Sequence, residues 1–129
     1  MADSPQTHRV LVADDARVMR MLIRTWLERL GLDVEEARNG IEALSLAKTG
    51  RFDLVMLDIN MPGLTGLSVL DRIRTDPELE GLPVVLLTTL GNAADVERGR
   101  RLGASDYLTK PISFGTLRRM LDTQLPLPN

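Results

Sequence analysis

The stretch DLVMLDINMPG, Asp53 to Gly63, decides how this chain is read. Leu54, Val55, Met56 and Leu57 are continuously apolar, as in a strand covered on both faces. The run then stops on a carboxylate, Asp58, and Asn60-Met61-Pro62-Gly63 signals a turn close behind. A carboxylate at the end of a buried strand is costly unless something pairs with it. What Asp58 faces is therefore the question that the rest of the sequence must answer.

Working outward, further apolar runs flank this one: RVLVA (Arg9 to Ala13), LDVEEA (Leu32 to Ala37), PVVLL (Pro83 to Leu87) and YLT (Tyr107 to Thr109). LDVEEA alternates and carries Asp33, Glu35 and Glu36, which suits an edge strand. Helix-like segments separate the runs. From about Ala16 to Leu30, the residues Met19, Leu22, Ile23, Trp26, Leu27 and Leu30 form one stripe expected to be buried. Arg17, Arg20, Arg24 and Glu28 are expected off it, with Gly31 as the stop. Asn39 is expected to cap a second helix, with Glu42 reaching back. A third runs from about Thr65 to Thr75, burying Leu67, Leu70 and Ile73, and Asp76-Pro77 ends it. The fourth, Asn92 to Leu102, is weak, with Gly99 in its interior. The fifth runs from about Phe114 to Leu125. Strand and helix alternate five times, which implies an α/β sandwich built on a parallel sheet. Residues 1–8 are expected to be a disordered tail, 9–125 the domain, and 126–129 a short proline-rich stub.

Bulk composition excludes several classes. The 129 residues suffice for a single core. A net charge of −2 gives no reason to expect nucleic-acid or membrane binding. Cysteine is absent, which removes disulfides, thiolate metal sites and thiol catalysis and fits a cytoplasmic protein. The polar start MADSPQTHR is unlike a signal peptide, and no apolar run is long enough to span a membrane.

In an open parallel sheet, ligands bind at the carboxyl ends of the strands. The first run here ends in Asp14-Asp15, the third in Asp58, the fourth in Thr88-Thr89 and the fifth in Lys110-Pro111. Each is ordinary by itself: a strand-end Asp is usually a cap or turn residue, and Lys-Pro alone means little. In a parallel sheet, however, all four ends share one edge. Close carboxylates must take a proton, pair with a cation or bind a metal. An oxygen-only set suits a hard divalent ion, and Mg²⁺ fits better than Ca²⁺. Asp15 and Asp58 are expected to bind it directly, Asp14 through water, and Asn60 through its backbone carbonyl. There is no serine elbow and no P-loop, and the sole histidine, His8, lies in the tail. A carboxylate beside Mg²⁺ can itself be the nucleophile and form an aspartyl phosphate. Asp58 is the expected acceptor, with Lys110 and Thr88 on the phosphoryl oxygens.

VADD, LDINMPGLTG, PVVLLTT and GASDYLTKPIS, at their spacing, resemble the receiver domain of two-component response regulators, of which the bacterial chemotaxis receiver is the simplest member. The resemblance runs from about Arg9 to Leu125. It implies a doubly wound, flavodoxin-like sheet in the order 2-1-3-4-5 with five helices. It also implies that Asp58 is the phosphoacceptor, that Asp14 and Asp15 form the acidic pair, and that Asp15, Asp58 and the Asn60 carbonyl hold Mg²⁺. Lys110 would bind the phosphoryl group, with a cis peptide to Pro111. Thr88 matches the switch hydroxyl and Tyr107 the switch aromatic. Asn60 and Leu90 match the positions that tune phosphate lifetime. Leu90 stands where many relatives carry a polar residue, and Thr89 where alanine is common. The output face would comprise the fourth helix, fifth strand and fifth helix, here with Arg98, Arg100, Arg101, Arg118 and Arg119.

On this reading the chain is a regulator rather than an enzyme, although it catalyses its own phosphotransfer and dephosphorylation. Its donor would be a histidine kinase or histidine phosphotransfer protein, and its target an output protein. It is expected to be a monomer when unphosphorylated, with a dimer possible once phosphorylated. A stand-alone regulator is the leading expectation, and a receiver fragment of a larger regulator such as a transcription factor is the alternative. A haloacid-dehalogenase-type phosphatase would have a second Asp where Asn60 stands. A flavodoxin-like FMN carrier would need a hydroxyl-rich loop where Asp14-Asp15 stands. Loss of phosphorylation is disfavoured, since every required residue type is present.

Overall fold

The structure is a computed structural model of the chain, and it describes residues 7–79 and 81–125. Elements alternate as β1 (Arg9–Ala13), α1 (Arg17–Arg29), β2 (Asp33–Ala37), α2 (Gly40–Thr49), β3 (Leu54–Asp58), α3 (Gly66–Thr75), β4 (Val84–Thr88), α4 (Ala93–Leu102), β5 (Asp106–Thr109) and α5 (Phe114–Gln124). The five strands form one parallel sheet in the order β2-β1-β3-β4-β5. Residues 1–6 of the expected tail and the expected stub 126–129 lie outside the described residues. His8, also expected in the tail, is described, and its carbonyl accepts the Asp33 N–H at 3.0 Å.

Successive strand residues point to opposite faces, and each face has its own core. Leu11, Ala13, Val55, Leu57, Val84 and Leu86 pack with Ala43, Leu67, Leu70 and Ile73 from α2 and α3. Val10, Val12, Leu54, Met56, Val85 and Leu87 pack with Ile23 and Leu27 of α1 and with Leu117 and Leu121 of α5. Burial on both faces is why β3 and β4 are apolar almost without interruption. Trp26 of α1 meets Phe114 of α5 edge-on, with ring centroids 6.0 Å apart.

Two local expectations change. In α1 the buried stripe is Arg20, Ile23 and Leu27, while Leu22 is 39% exposed. Arg20 was expected in solvent, but it sits three and seven residues before Ile23 and Leu27 and shares their face. Its charge is tolerated there because fixed acceptors meet it. Asp58 and Thr88, expected at strand ends, are the last ladder residues of β3 and β4, one residue past each apolar run. Finally, α4 starts at Ala93, and the Asn92 side chain makes no capping bond. Its only buried residue is Gly99. A Cβ at Gly99 would lie 2.4 Å from Leu86 Cδ1 and 3.5 Å from the Tyr107 ring, so glycine here permits a close approach of helix to sheet. The expected cap of α2 holds, with Asn39 Oδ1 accepting the Glu42 N–H at 2.8 Å, and the structure adds a cap on α5 made by Ser113 with Thr116.

Candidate functional site

The parallel register assembles the cleft. Ala13 pairs with Leu57 and Asp58 with Leu87, so Asp14 and Asp58 leave neighbouring strands at one level. Thr88 pairs with Thr109, which brings Lys110 in from the other side. One carboxylate oxygen each from Asp14, Asp15 and Asp58 falls within 4.8 Å of the others.

Asp14 is fully buried and held along its backbone. Its N–H donates to the Ala37 carbonyl of β2 at 3.2 Å. Its Oδ1 accepts the Ala16 N–H at 2.8 Å. Its Oδ2 makes no hydrogen bond, yet the Lys110 ammonium lies 2.8 Å away. The ion pair is close, but its angle misses hydrogen-bond geometry. Asp15 is exposed at the mouth. Asp58 is 5% exposed, with Oδ1 accepting the Asn60 N–H at 3.2 Å and Oδ2 3.3 Å from Lys110 Nζ.

With all groups ionised, three carboxylates face one ammonium. Burial, and then the charge of Asp14, push the Asp58 carboxyl up to about 6 against the pull of Lys110 and the Asn60 N–H. Burial draws the Lys110 ammonium down, but Asp14 and Asp58 outweigh it and leave its pKa raised. Lys110 is therefore charged throughout the neutral range, and the cleft still lacks positive charge.

The donor set fits Mg²⁺. It offers only oxygens, one of them a buried atom without a hydrogen bond, around an excess of negative charge. His8 stands at the opposite end of the sheet, just before β1.

The remaining expected residues surround the cleft. Thr88 is buried, and its hydroxyl donates to its neighbour's Thr89 carbonyl at 3.3 Å. The Lys110-Pro111 peptide is cis, as expected. Tyr107 packs against the core, and its hydroxyl donates to the Val96 carbonyl of α4 at 2.9 Å. Asn60 is exposed, and Leu90 is 83% exposed. The five arginines are not one free basic surface. Arg100 and Arg101 share Glu97, and Arg118 pairs with Asp122. Arg98 and Arg119 make no ion pair among the described residues.

A model of the response regulator receiver domain matches residues 10–122. The chain belongs to that family. This receiver is 36% identical over 115 residues to the chemotaxis protein CheY-3 of Vibrio cholerae, covering 88% of each chain. It is also 36% identical over 117 residues to the protein PilH of Pseudomonas aeruginosa, covering 91% of this chain and 97% of PilH. Among solved structures, it resembles Vibrio cholerae CheY4 with a TM-score of 0.87 and 32% identity, covering 93% and 100% of the two chains. It resembles the receiver domain of a Pseudomonas aeruginosa sensor histidine kinase with a TM-score of 0.85 and 29% identity, covering 92% and 98%. That structure is described with a magnesium ion coordinated in its active-site cleft. In the present chain, no helix among the described residues is long and apolar enough to cross a membrane.

Proposed function

We propose that this receiver is a phosphoacceptor switch, with Asp58 taking a phosphoryl group from a phosphohistidine on a kinase or phosphotransfer protein. The observation that carries the reading is the pairing of a buried, strand-end Asp58 with Lys110 Nζ at 3.3 Å inside an acid-rich cleft. An oxygen of the Asp58 carboxylate attacks phosphorus, the bond to the donor nitrogen breaks, and the imidazole leaves with the electron pair. Lys110, already beside Asp58, would take one phosphoryl oxygen, and the Thr88 hydroxyl would take another on turning from the Thr89 carbonyl, so that both meet the charge spreading in the transition state. Asp15, Asp58 and the Asn60 carbonyl, with Asp14 behind them, are the residues that would hold Mg²⁺. When bound, the ion supplies the positive charge that three carboxylates and one lysine lack.

Incubation with acetyl phosphate and Mg²⁺ tests the reading by intact mass. The expected result is a gain of one phosphate by the wild type and none by Asp58→Asn. Equal gain in both would remove Asp58 as acceptor.

Hydrolysis reverses the attachment: water attacks phosphorus and the Asp58 carboxylate leaves. Leu90, two residues beyond Thr88, offers no polar group to guide that water. A Leu90→Glu variant should therefore lose its phosphate faster than the wild type. Equal or longer half-lives in the variant would refute the role given to Leu90.

The signal would leave through Thr88 and Tyr107. If Thr88 turns from the Thr89 carbonyl toward the phosphoryl group, space opens for the Tyr107 ring. The Tyr107 hydroxyl is bonded to Val96, so that motion pulls on α4, the helix with least side-chain anchorage. Beside it, a cavity of about 410 Å³ between β5 and α5 is lined by Tyr107, Arg119 and Met120, among others. Arg98 and Arg119 are the output-face cations free to meet an acidic partner. Reversing both to Glu should abolish retention of partners captured by the beryllofluoride-loaded chain. Unchanged retention would discard this surface. The lengths of CheY-3 and PilH support a stand-alone regulator. The kinase-borne receiver keeps a larger parent protein as the alternative.

A further inference from the structure

The buried Arg20 is unused by the mechanism above, although it reaches the cleft from behind. Its side chain is 9% exposed. Nη1 donates to the Asp14 carbonyl at 2.7 Å, and Nε donates to Glu36 Oε1 on β2 at 3.0 Å. The other oxygen of Glu36 accepts from Arg24 Nη1 at 2.9 Å. Burial pushes the Glu36 carboxyl up, but the bonds from Arg24 and Arg20 bring it below its usual value, so it stays charged. A buried guanidinium adds little net stability compared with an apolar side chain of similar size. Its presence here calls for a further role.

That role follows from what it touches. The Asp14 carbonyl and the Asp15 amide belong to one peptide group. Asp14 is held on three sides, with its N–H on Ala37, its Oδ1 on Ala16 and its carbonyl on Arg20, and only the bond to Arg20 falls on the peptide that leads into Asp15. The Asp15 carboxylate itself makes no hydrogen bond or ion pair among the described residues. It is aimed only by the backbone it leaves from. A carboxylate that must be ordered on binding holds a cation less tightly than one held in place beforehand.

We propose that Arg20 is a positioning residue for the metal site, clamping the Asp14-Asp15 peptide to Glu36 of β2 so that Asp15 is presented to the cation. The inference rests on the Mg²⁺ reading given above. Arg20 touches neither metal nor phosphoryl group. Only the planar fork of arginine reaches a carbonyl and a carboxylate at once, so lysine is an incomplete substitute.

Titration calorimetry of the full chain with MgCl₂ tests it, with no phosphate donor present. Arg20→Met is expected to weaken Mg²⁺ binding by about tenfold, the low end for loss of a group that orients a metal ligand. Arg20→Lys should fall between that variant and the wild type. Arg24→Met, which removes the outer contact to Glu36 and the exposed pair with Glu28, should bind within about twofold of the wild type. Urea unfolding in EDTA, run on the same samples, reports stability separately. Should Arg20→Met fail to fold, Arg20→Lys and Glu36→Gln carry the comparison, since Glu36 is partly exposed and holds Arg20 in place. Variants that lose stability but keep the wild-type Mg²⁺ affinity would overturn the proposal and leave Arg20 a clamp between α1 and β2. A wild type that binds no Mg²⁺ would overturn the metal reading, and this inference with it.

Discussion

Asp58→Asn is expected to make the metal-free protein more stable at pH 7.5 by about 2–3 kcal/mol, or about 10 °C in melting temperature. The cause is the environment that makes Asp58 useful. The folded protein holds the Asp58 proton up to about pH 6, and an unperturbed carboxyl releases it near 3.8. Between these values the folded state binds more protons than the unfolded one, so stability falls as pH rises through the window. Above pH 6 the full cost of an ionised, buried carboxylate beside Asp14 is present. Asparagine carries no charge and avoids it. Below about pH 4 the wild-type carboxyl is protonated in both states, and the two proteins should converge. Thermal melts at pH 3.5, 5 and 7.5 in EDTA measure this. A gap that is absent at pH 7.5, or that persists at pH 3.5, would show that burial does not strain Asp58 as described. Saturating Mg²⁺ should also narrow the gap by stabilising the wild type preferentially.

Gly66→Ala is expected to destabilise the fold by about 3 kcal/mol or more. The first turn of α3 lies directly on the end of β3, and the Gly66 N–H donates to the Ile59 carbonyl at 2.9 Å. An added Cβ would sit 2.2 Å from the Asp58 carbonyl oxygen and 2.9 Å from the Ile59 Cα. Both obstacles are backbone, so no rotamer change relieves them. Either α3 withdraws, exposing Leu67 and Leu70, or the end of β3 shifts and takes Asp58 with it. The variant should therefore also accept phosphate more slowly than its folded fraction explains. Gly115→Ala is the control. Gly115 lies inside α5 with nothing closer than 3.9 Å to the added carbon, and alanine favours helix there. Urea midpoints should move in opposite directions for the two variants. A Gly66→Ala midpoint equal to the wild type would refute the close packing of α3 on β3.

The cleft was legible in the sequence because parallel strands send their carboxyl ends to one edge, whatever their order. Asp14, Asp15, Asp58, Thr88 and Lys110 could thus be grouped before any distance was known. The order of the strands was not legible from periodicity, since β1, β3 and β4 are alike in composition, and it came from family resemblance. Arg20 was misplaced because charge was weighed above spacing. Its partners, the Asp14 carbonyl and Glu36, appear only once β2 lies beside β1. Gly99 was read as a flaw in a weak helix, but the approach of Leu86 and Tyr107 shows it to be a fitting piece. The pairing of Arg100 and Arg101 with Glu97 follows helical spacing and was available in principle. The count of arginines obscured it.

The contact between α4 and the sheet has one further consequence. Because Gly99 meets the core through its backbone, the outward residues of α4 are under little obligation to the interior. They can be exchanged with small effect on folding or on the cleft. A lineage that duplicates such a protein could rewrite the partner-reading surface in a few steps while the chemistry stays fixed. Parallel signalling channels could then diverge without crosstalk from a single inherited switch.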